Sequence, residues 1–365
     1  MFLVLIVYFV VTGFAAKYYH AKQKTLAQEW YARGEADLRS HQPAKALEDF
    51  RNALAYSKEN SLYRLRLAQA LVAAGRTSEA RTYLLSLWER EPGNGTVNLE
   101  LARLAARDHN VSEAMRYYHN AIYGEWERDP TTKRRMARLE LAEFLLGVGV
   151  KSQAESELIA LAADLPPDPE VQTHVGNLLI RVNEYDQALK LFRDALSENS
   201  SYEPALLGTG EAYFETARYS LAQRYLERAL RKNPSLTRAS DLLDTARAVL
   251  SINPFERGLS SRQRAQRAIS AFDQAKARME QCAAQRGISL QADVVQTPLQ
   301  TLHQQLMKAQ PQMKERNLRR DPDLVSSTMD LVFEVERTTV HECGEPHGLD
   351  QALLLIARTQ EGSRP

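Results

Sequence analysis

Hydrophobic and polar positions divide the chain into three stretches of different pattern. Met1 to Ala16 is apolar and carries no charged side chain. From about Ala27 to Pro234, apolar residues recur at helical spacing on one face of successive segments, with charged residues between them. Small side chains mark the period: Ala46, Ala80, Ala114, Ala154, Ala188 and Ala222 are separated by 34, 34, 40, 34 and 34 residues. Four residues after each stands a large side chain: Phe50, Leu84, Tyr118, Leu158, Phe192 and Leu226. Three further on come Ala53, Leu87, Ala121, Leu161, Ala195 and Ala229, and twelve before each marker lies Gly34, Ala68, Ala102, Ala142, Gly176 or Gly210. Paired helices, A and B, explain this spacing, because small residues let two helices approach and large ones fill the gaps between pairs. Pro92, Pro166 and Pro234 close three of the repeats in one register.

These residues resemble the tetratricopeptide repeat (TPR) family, whose 34-residue signature runs Trp, Leu-Gly, Tyr, Ala, Phe, Ala, Pro. Trp30, Gly34, Ala46, Phe50 and Ala53 match it in the first repeat; Gly210, Tyr213, Ala222, Ala229 and Pro234 match it in the sixth. The resemblance implies an all-α, right-handed solenoid of about six helix hairpins over residues 27–235. It also implies a groove on the A helices that takes a partner peptide or helix. The inward-facing ninth position of each repeat would then hold Glu35, Gln69, Arg103, Glu143, Asn177 and Glu211, and the thirteenth adds Arg39, Arg107, Arg181 and Glu215. Arg103 with Arg107, and Asn177 with Arg181, are i,i+4 pairs on one helical face each, suited to a carboxylate or an acidic side chain. The alternative for these residues is a solvated polar face. Leu65, Leu99, Leu139 and Leu207 at the fifth position line the same groove or belong to the core.

The one 40-residue interval places an insertion around Tyr123-Gly-Glu-Trp-Glu-Arg-Asp-Pro130. It reads as an extended helix B on which Trp126 packs, with a partner-contacting rim as the alternative. After Pro234, Ala239, Leu242, Ala246, Val249 and Leu250 make a capping helix over 236–252, ended by Asn253-Pro254.

From Pro254 the period stops, and residues 254–365 read as a small helical C-terminal domain. Ser260 or Ser261 caps a first helix carrying Ala265, Phe272, Met279 and Cys282, with Gly287 at its end. Thr297-Pro298 opens a second, Asp321-Pro322 a third, and Glu345-Pro346 precedes a fourth. Thr338, Thr339 and Val340 leave the last turns of the third open.

An apolar helix from Met1 to Tyr19 would reach about 28 Å, close to the roughly 30 Å of a hydrocarbon core. Lys17, Tyr18 and Tyr19 supply an interfacial flank. Residues 1–19 are therefore expected to form a single-pass transmembrane anchor. A signal peptide cleaved near Ala15 or Ala16 is the alternative, although no positively charged residue precedes the apolar run.

Composition narrows the function. Lys plus Arg total 47 against 46 for Asp plus Glu, a net charge of +1, which speaks against nucleic-acid binding. The only cysteines are Cys282 and Cys343, either a disulfide or two buried thiols. A metal set of both with His341 and His347 has no diagnostic spacing. No phosphate loop, nucleophile elbow or zinc-protease helix occurs, so neither an enzyme activity, a small-molecule substrate nor a cofactor is expected. The expected function is a membrane-anchored interaction scaffold that assembles an envelope complex, with a C-terminal enzymatic or metal-binding module as the alternative. Three lysines after the span favour a cytoplasmic bulk. Paired cysteines favour an extracytoplasmic one, periplasmic in a bacterium, and that is the orientation expected here.

Overall fold

The structure is a computed structural model describing the backbone of residues 2–291 and 297–361, with side chains given for Phe9 and from Val11 onward. Among these residues the regular structure is helical, with one isolated bridge and no named strand. Two compact units divide at Asp164 and Leu165.

The first unit holds four hairpins: α1 (Phe2–Arg39) with α2 (Pro43–Tyr56), α3 (Ser61–Ala73) with α4 (Thr77–Arg90), α5 (Gly95–Arg107) with α6 (Val111–Tyr123), and α7 (Pro130–Gly147) with α8 (Lys151–Ala162). Asn60, Asn94 and Asp129 cap α3, α5 and α7 with their side chains, satisfying N–H groups that a helix start leaves unpaired. The periodic alanines Ala46, Ala80, Ala114 and Ala154 are fully buried, as are Phe50, Leu84 and Leu158.

The second unit continues with α9 (Pro169–Arg181) and α10 (Tyr185–Glu198), then α11 (Glu203–Glu215) and α12 (Tyr219–Lys232), then α13 (Thr237–Ile252). At Gly176 the close approach is absolute, since a Cβ there would sit 2.6 Å from Cε1 of Phe192. A second regularity escapes residue type. His41, Gly75, His109, Gly149, Asn183 and Ala217 all have positive φ, and each follows its A helix by two residues. At Ala217 the turn is a Schellman motif: Arg218 N donates to Tyr213 O at 2.8 Å and Ala217 N to Phe214 O at 2.9 Å.

The insertion departs from its expected form. Helix B does not extend through Trp126: α6 stops at Tyr123, and residues 124–129 form a loop. Gly95 N donates to Glu125 O and Glu125 N to Gly93 O, both at 2.8 Å, tying that loop to the start of α5. Trp126 Nε1 donates to Ala121 O at 2.9 Å while its indole covers Gly95. Indole burial plus two backbone bonds outweigh one more helical turn, which Gly124 disfavours. The remaining inserted residues lengthen α7, which has 18 residues against 13 in α5 and α9.

Residues after 254 form α14 (Ser261–Gln285), α15 (Pro298–Ala309), a short α16 (Glu315–Arg320) absent from the sequence reading, α17 (Pro322–Cys343) and α18 (Leu349–Glu361). Ser260 and Thr297 each complete a capping box. The β-branched run does not end α17, because Thr339 is fully buried and its hydroxyl donates to Glu336 O at 2.9 Å. One buried cluster joins Val249 and Ile252 of α13 to Phe272, Met279, Val332 and Leu353. The hydrophobic core therefore passes without a break across residue 254.

Most of the expected anchor falls outside the described side chains, namely residues 1–8 and Val10. Among the described residues, no helix is long and apolar enough to cross a membrane.

Candidate functional site

On the A helices of the first unit, the ninth position of one hairpin meets the sixth position of the next. Glu35 Oε1 lies 3.0 Å from Arg66 Nε. Gln69 Nε2 donates to Glu100 Oε1 at 2.9 Å, and Arg66 Nη1 donates to Gln69 Oε1 at 2.8 Å. Arg103 grips Glu140 with two bonds, Nε to Oε2 at 2.9 Å and Nη2 to Oε1 at 2.7 Å, and reaches Glu100 Oε1 at 3.3 Å. A polar ladder thus links α1, α3, α5 and α7. The bonds to Glu140 raise the Arg103 guanidinium above its ordinary value, against the effect of burial. Burial, aided by the negative charge of Glu140, raises the Tyr118 phenol beside it.

This ladder revises the expected binding set. Arg103 and Gln69 spend their donors on neighbouring hairpins, so they order the face rather than wait for a ligand. Arg107, one turn beyond Arg103, is exposed and has no ion pair among the described residues. It borders a hollow of about 500 Å³ lined by Gln69, Val72, Glu100, Arg103 and Leu104. Glu143 lies exposed on α7. Leu99 is buried at 3% exposure and belongs to the core, whereas Leu65 is half-buried.

In the second unit Asn177 and Arg181 are exposed on α9, and Arg181 has no ion pair among the described residues. Asn177 Oδ1 crowds Gly208, the sixth position of its following hairpin. Glu211 accepts from Arg238 Nε at 2.9 Å. Sequence reasoning missed Glu100 and Glu140, which carry the ladder. Their signal is a spacing of 31 residues, or 37 across the insertion, instead of 34.

Cys282 on α14 and Cys343 at the end of α17 are joined as a disulfide, with Cα atoms 5.8 Å apart. Beside it Arg278 serves four groups: Glu336 Oε2 at 3.3 Å, Thr339 Oγ1 at 3.0 Å, Asp350 Oδ2 at 3.5 Å and Gly344 O at 3.0 Å. Burial, then repulsion from Asp350, pushes the Glu336 carboxyl up to about 8 despite Arg278. Among the described residues, no group of three or more His, Cys, Asp or Glu is arranged to hold a metal.

Stacked helix hairpins bearing a polar A-helix face define a helical-repeat scaffold for protein interaction. The repeats are tetratricopeptide repeats: a family model of that description matches residues 37–94 and 179–246. Comparison with curated proteins finds no match. Similar solved structures include the C-terminal part of a TPR repeat-containing protein from Cytophaga hutchinsonii, at 15% identity and TM-score 0.48, covering 65% of this chain and 92% of that one. PilF of Pseudomonas aeruginosa is 15% identical over 60% of this chain and 97% of its own, with TM-score 0.45. YrrB, a TPR protein with an unusual peptide-binding site, is 17% identical over 52% and 95%, with TM-score 0.43. At these scores the likenesses carry no functional argument.

Proposed function

We propose that this protein is a membrane-anchored, non-catalytic scaffold that holds a segment of a partner protein on its A-helix face. The hollow beside Arg107 is the observation that carries this reading. It offers an exposed guanidinium without a counter-ion, next to the apolar side chains of Val72 and Leu104, on a face stiffened by the Glu35-to-Glu140 ladder. Such a site suits a partner side chain bearing a carboxylate, taken up by the guanidinium fork. The expected groove residues Asn177, Arg181 and Glu211 stay in the proposal as contacts made by the second unit.

The anchor rests on the uncharged run Met1–Ala16 and on α1, which is helical from Phe2 and leaves Phe9 and Phe14 79% and 74% exposed. We place the bulk of the chain outside the cytoplasm, where the Cys282–Cys343 bond would persist, and in the assembly of an envelope complex. The anchor confines the A-helix face to a membrane surface and so raises the local concentration of a membrane-bound partner.

Affinity capture from detergent-solubilised membranes, with wild type and Arg107→Glu run in parallel, tests the face. A partner recovered by wild type and lost in the variant supports it, and identical recoveries reject it. Carbonate washing tests the anchor: the intact chain should stay in the membrane pellet. Recovery of a soluble chain beginning near Lys17 would replace the anchor with a cleaved signal.

A further inference from the structure

The first unit has a second pocket, of about 360 Å³, that owes its form to the insertion. Ile122 and Leu161, at 3% and 2% exposure, make its apolar floor, and Tyr123 stands at its edge with 75% of its surface exposed. The early turns of α7 supply Arg134, Arg135 and Arg138. By the register of the repeat, helix A would begin near Arg135, so the added turn is what brings Arg134 to this pocket.

Each guanidinium is fixed along one edge and open along another. Arg134 Nη2 donates to Gly124 O at 3.1 Å, and Arg135 Nε donates to Asp164 Oδ2 at 3.2 Å. Arg138 Nε lies 3.1 Å from Glu157 Oε2, a carboxylate that also meets His119 Nε2. The remaining terminal nitrogens of the three take no other partner among the described residues. Three cations therefore face one lining carboxylate, Asp164, whose side chain is itself 70% exposed. Even with Glu157 counted, the pocket keeps an excess of positive charge. Exposed tyrosine and pre-positioned arginines over an aliphatic floor are the composition of protein-interface anchor sites.

We propose that this pocket docks a protein segment in which an aspartate or glutamate lies beside an aliphatic or aromatic side chain. The carboxylate takes the free edges of Arg134 and Arg135, as a guanidinium fork favours. The apolar neighbour lies on Tyr123 and covers the floor of Ile122 and Leu161. The site is separate from the hollow at Arg107 and does not depend on it. The insertion thus supplies the scaffold with a second contact of defined charge.

The test is selection of a random peptide phage library against the full-length chain in detergent, followed by fluorescence anisotropy of the enriched peptides. Enriched peptides should pair Asp or Glu with an apolar residue. Arg134→Glu should weaken their binding about tenfold or more, as loss of a close charge pair does. Arg134→Lys should restore part of the affinity and Tyr123→Ser should reduce it, whereas Arg107→Glu should leave it unchanged. Helical melting of each variant checks that the fold survives, which the exposure of Arg134 and Tyr123 favours. No enrichment, enriched peptides without acidic residues, or binding indifferent to Arg134→Glu overturns the proposal. Binding that follows Arg107 instead rejects this pocket and leaves the A-helix reading standing, while indifference to both substitutions rejects both.

Discussion

Arg103 on α5 holds the carboxylate of Glu140 on α7 through two hydrogen bonds, at 2.9 and 2.7 Å. The pair repeats a relationship seen at Glu35 with Arg66 and at Gln69 with Glu100, so the polar face of the A helices is built from contacts between hairpins. Both side chains are partly exposed, so a double-mutant cycle of Arg103→Gln and Glu140→Gln should give a coupling of about 1 kcal/mol in urea unfolding. Zero coupling would show that the ladder adds nothing to stability.

The turn at Ala217 holds an L-residue at φ 56°. Ala217→Gly should therefore raise stability by about 0.5–1 kcal/mol, because a Cβ is disfavoured in the left-handed region and a Schellman turn favours glycine. The same change at Ala222, buried inside α12, should lower stability by about 1 kcal/mol or more. Thermal melts of the two variants should thus move in opposite directions.

The indole of Trp126 occupies the space that a Cβ on Gly95 would need. Gly95→Ala should displace the insertion loop, and Trp126→Ala should cost about 2 kcal/mol through lost packing. In the double variant the two losses should sum to less than their separate values, since both remove one contact. Strict additivity in chemical denaturation would contradict this packing.

Glu336 titrates in the folded chain near 8, well above its ordinary value of 4.5. Between these values the folded state keeps a proton that the unfolded chain releases, so stability falls as pH rises from about 4.5 to about 8. Below that window both states are protonated and this contribution is complete; above it the contribution is lost. Glu336→Gln should flatten the decline of melting temperature across the window. A variant as steep as wild type would place the dependence on another group.

Thiol labelling of the denatured, unreduced chain should find no free cysteine, and reduction should release two. The bond spans 61 residues, and its loss in Cys282→Ser with Cys343→Ser should lower stability by about 4 kcal/mol on the chain-entropy relation. Two thiols in freshly isolated protein would remove the disulfide and, with it, the argument for an oxidising compartment.

The sequence by itself determined the hairpins. Gly176 must admit the Phe192 ring sixteen residues later, and Ala46, Ala114 and Ala222 must vanish into close-packed interfaces. These constraints act within one repeat, so they recur in the sequence at 34 residues and are legible without a structure. The A-helix face was legible as well, but its chemistry was not. Arg103 read as a free cation because Glu140 lies in the next hairpin, at an offset that combines the period, a shift of three positions and the insertion.

Tertiary structure alone decided how those charges pair, where the loop at Trp126 runs and how the C-terminal helices pack. The left-handed turns carry His, Gly, Asn and Ala in one geometry, because hairpin packing over-determines the backbone there and residue type only modulates its cost. Loss of the repeat at Pro254 marked a change of pattern, yet Val249, Phe272 and Leu353 share one core, since apolar burial has no direction and closes over whatever surface α13 leaves open.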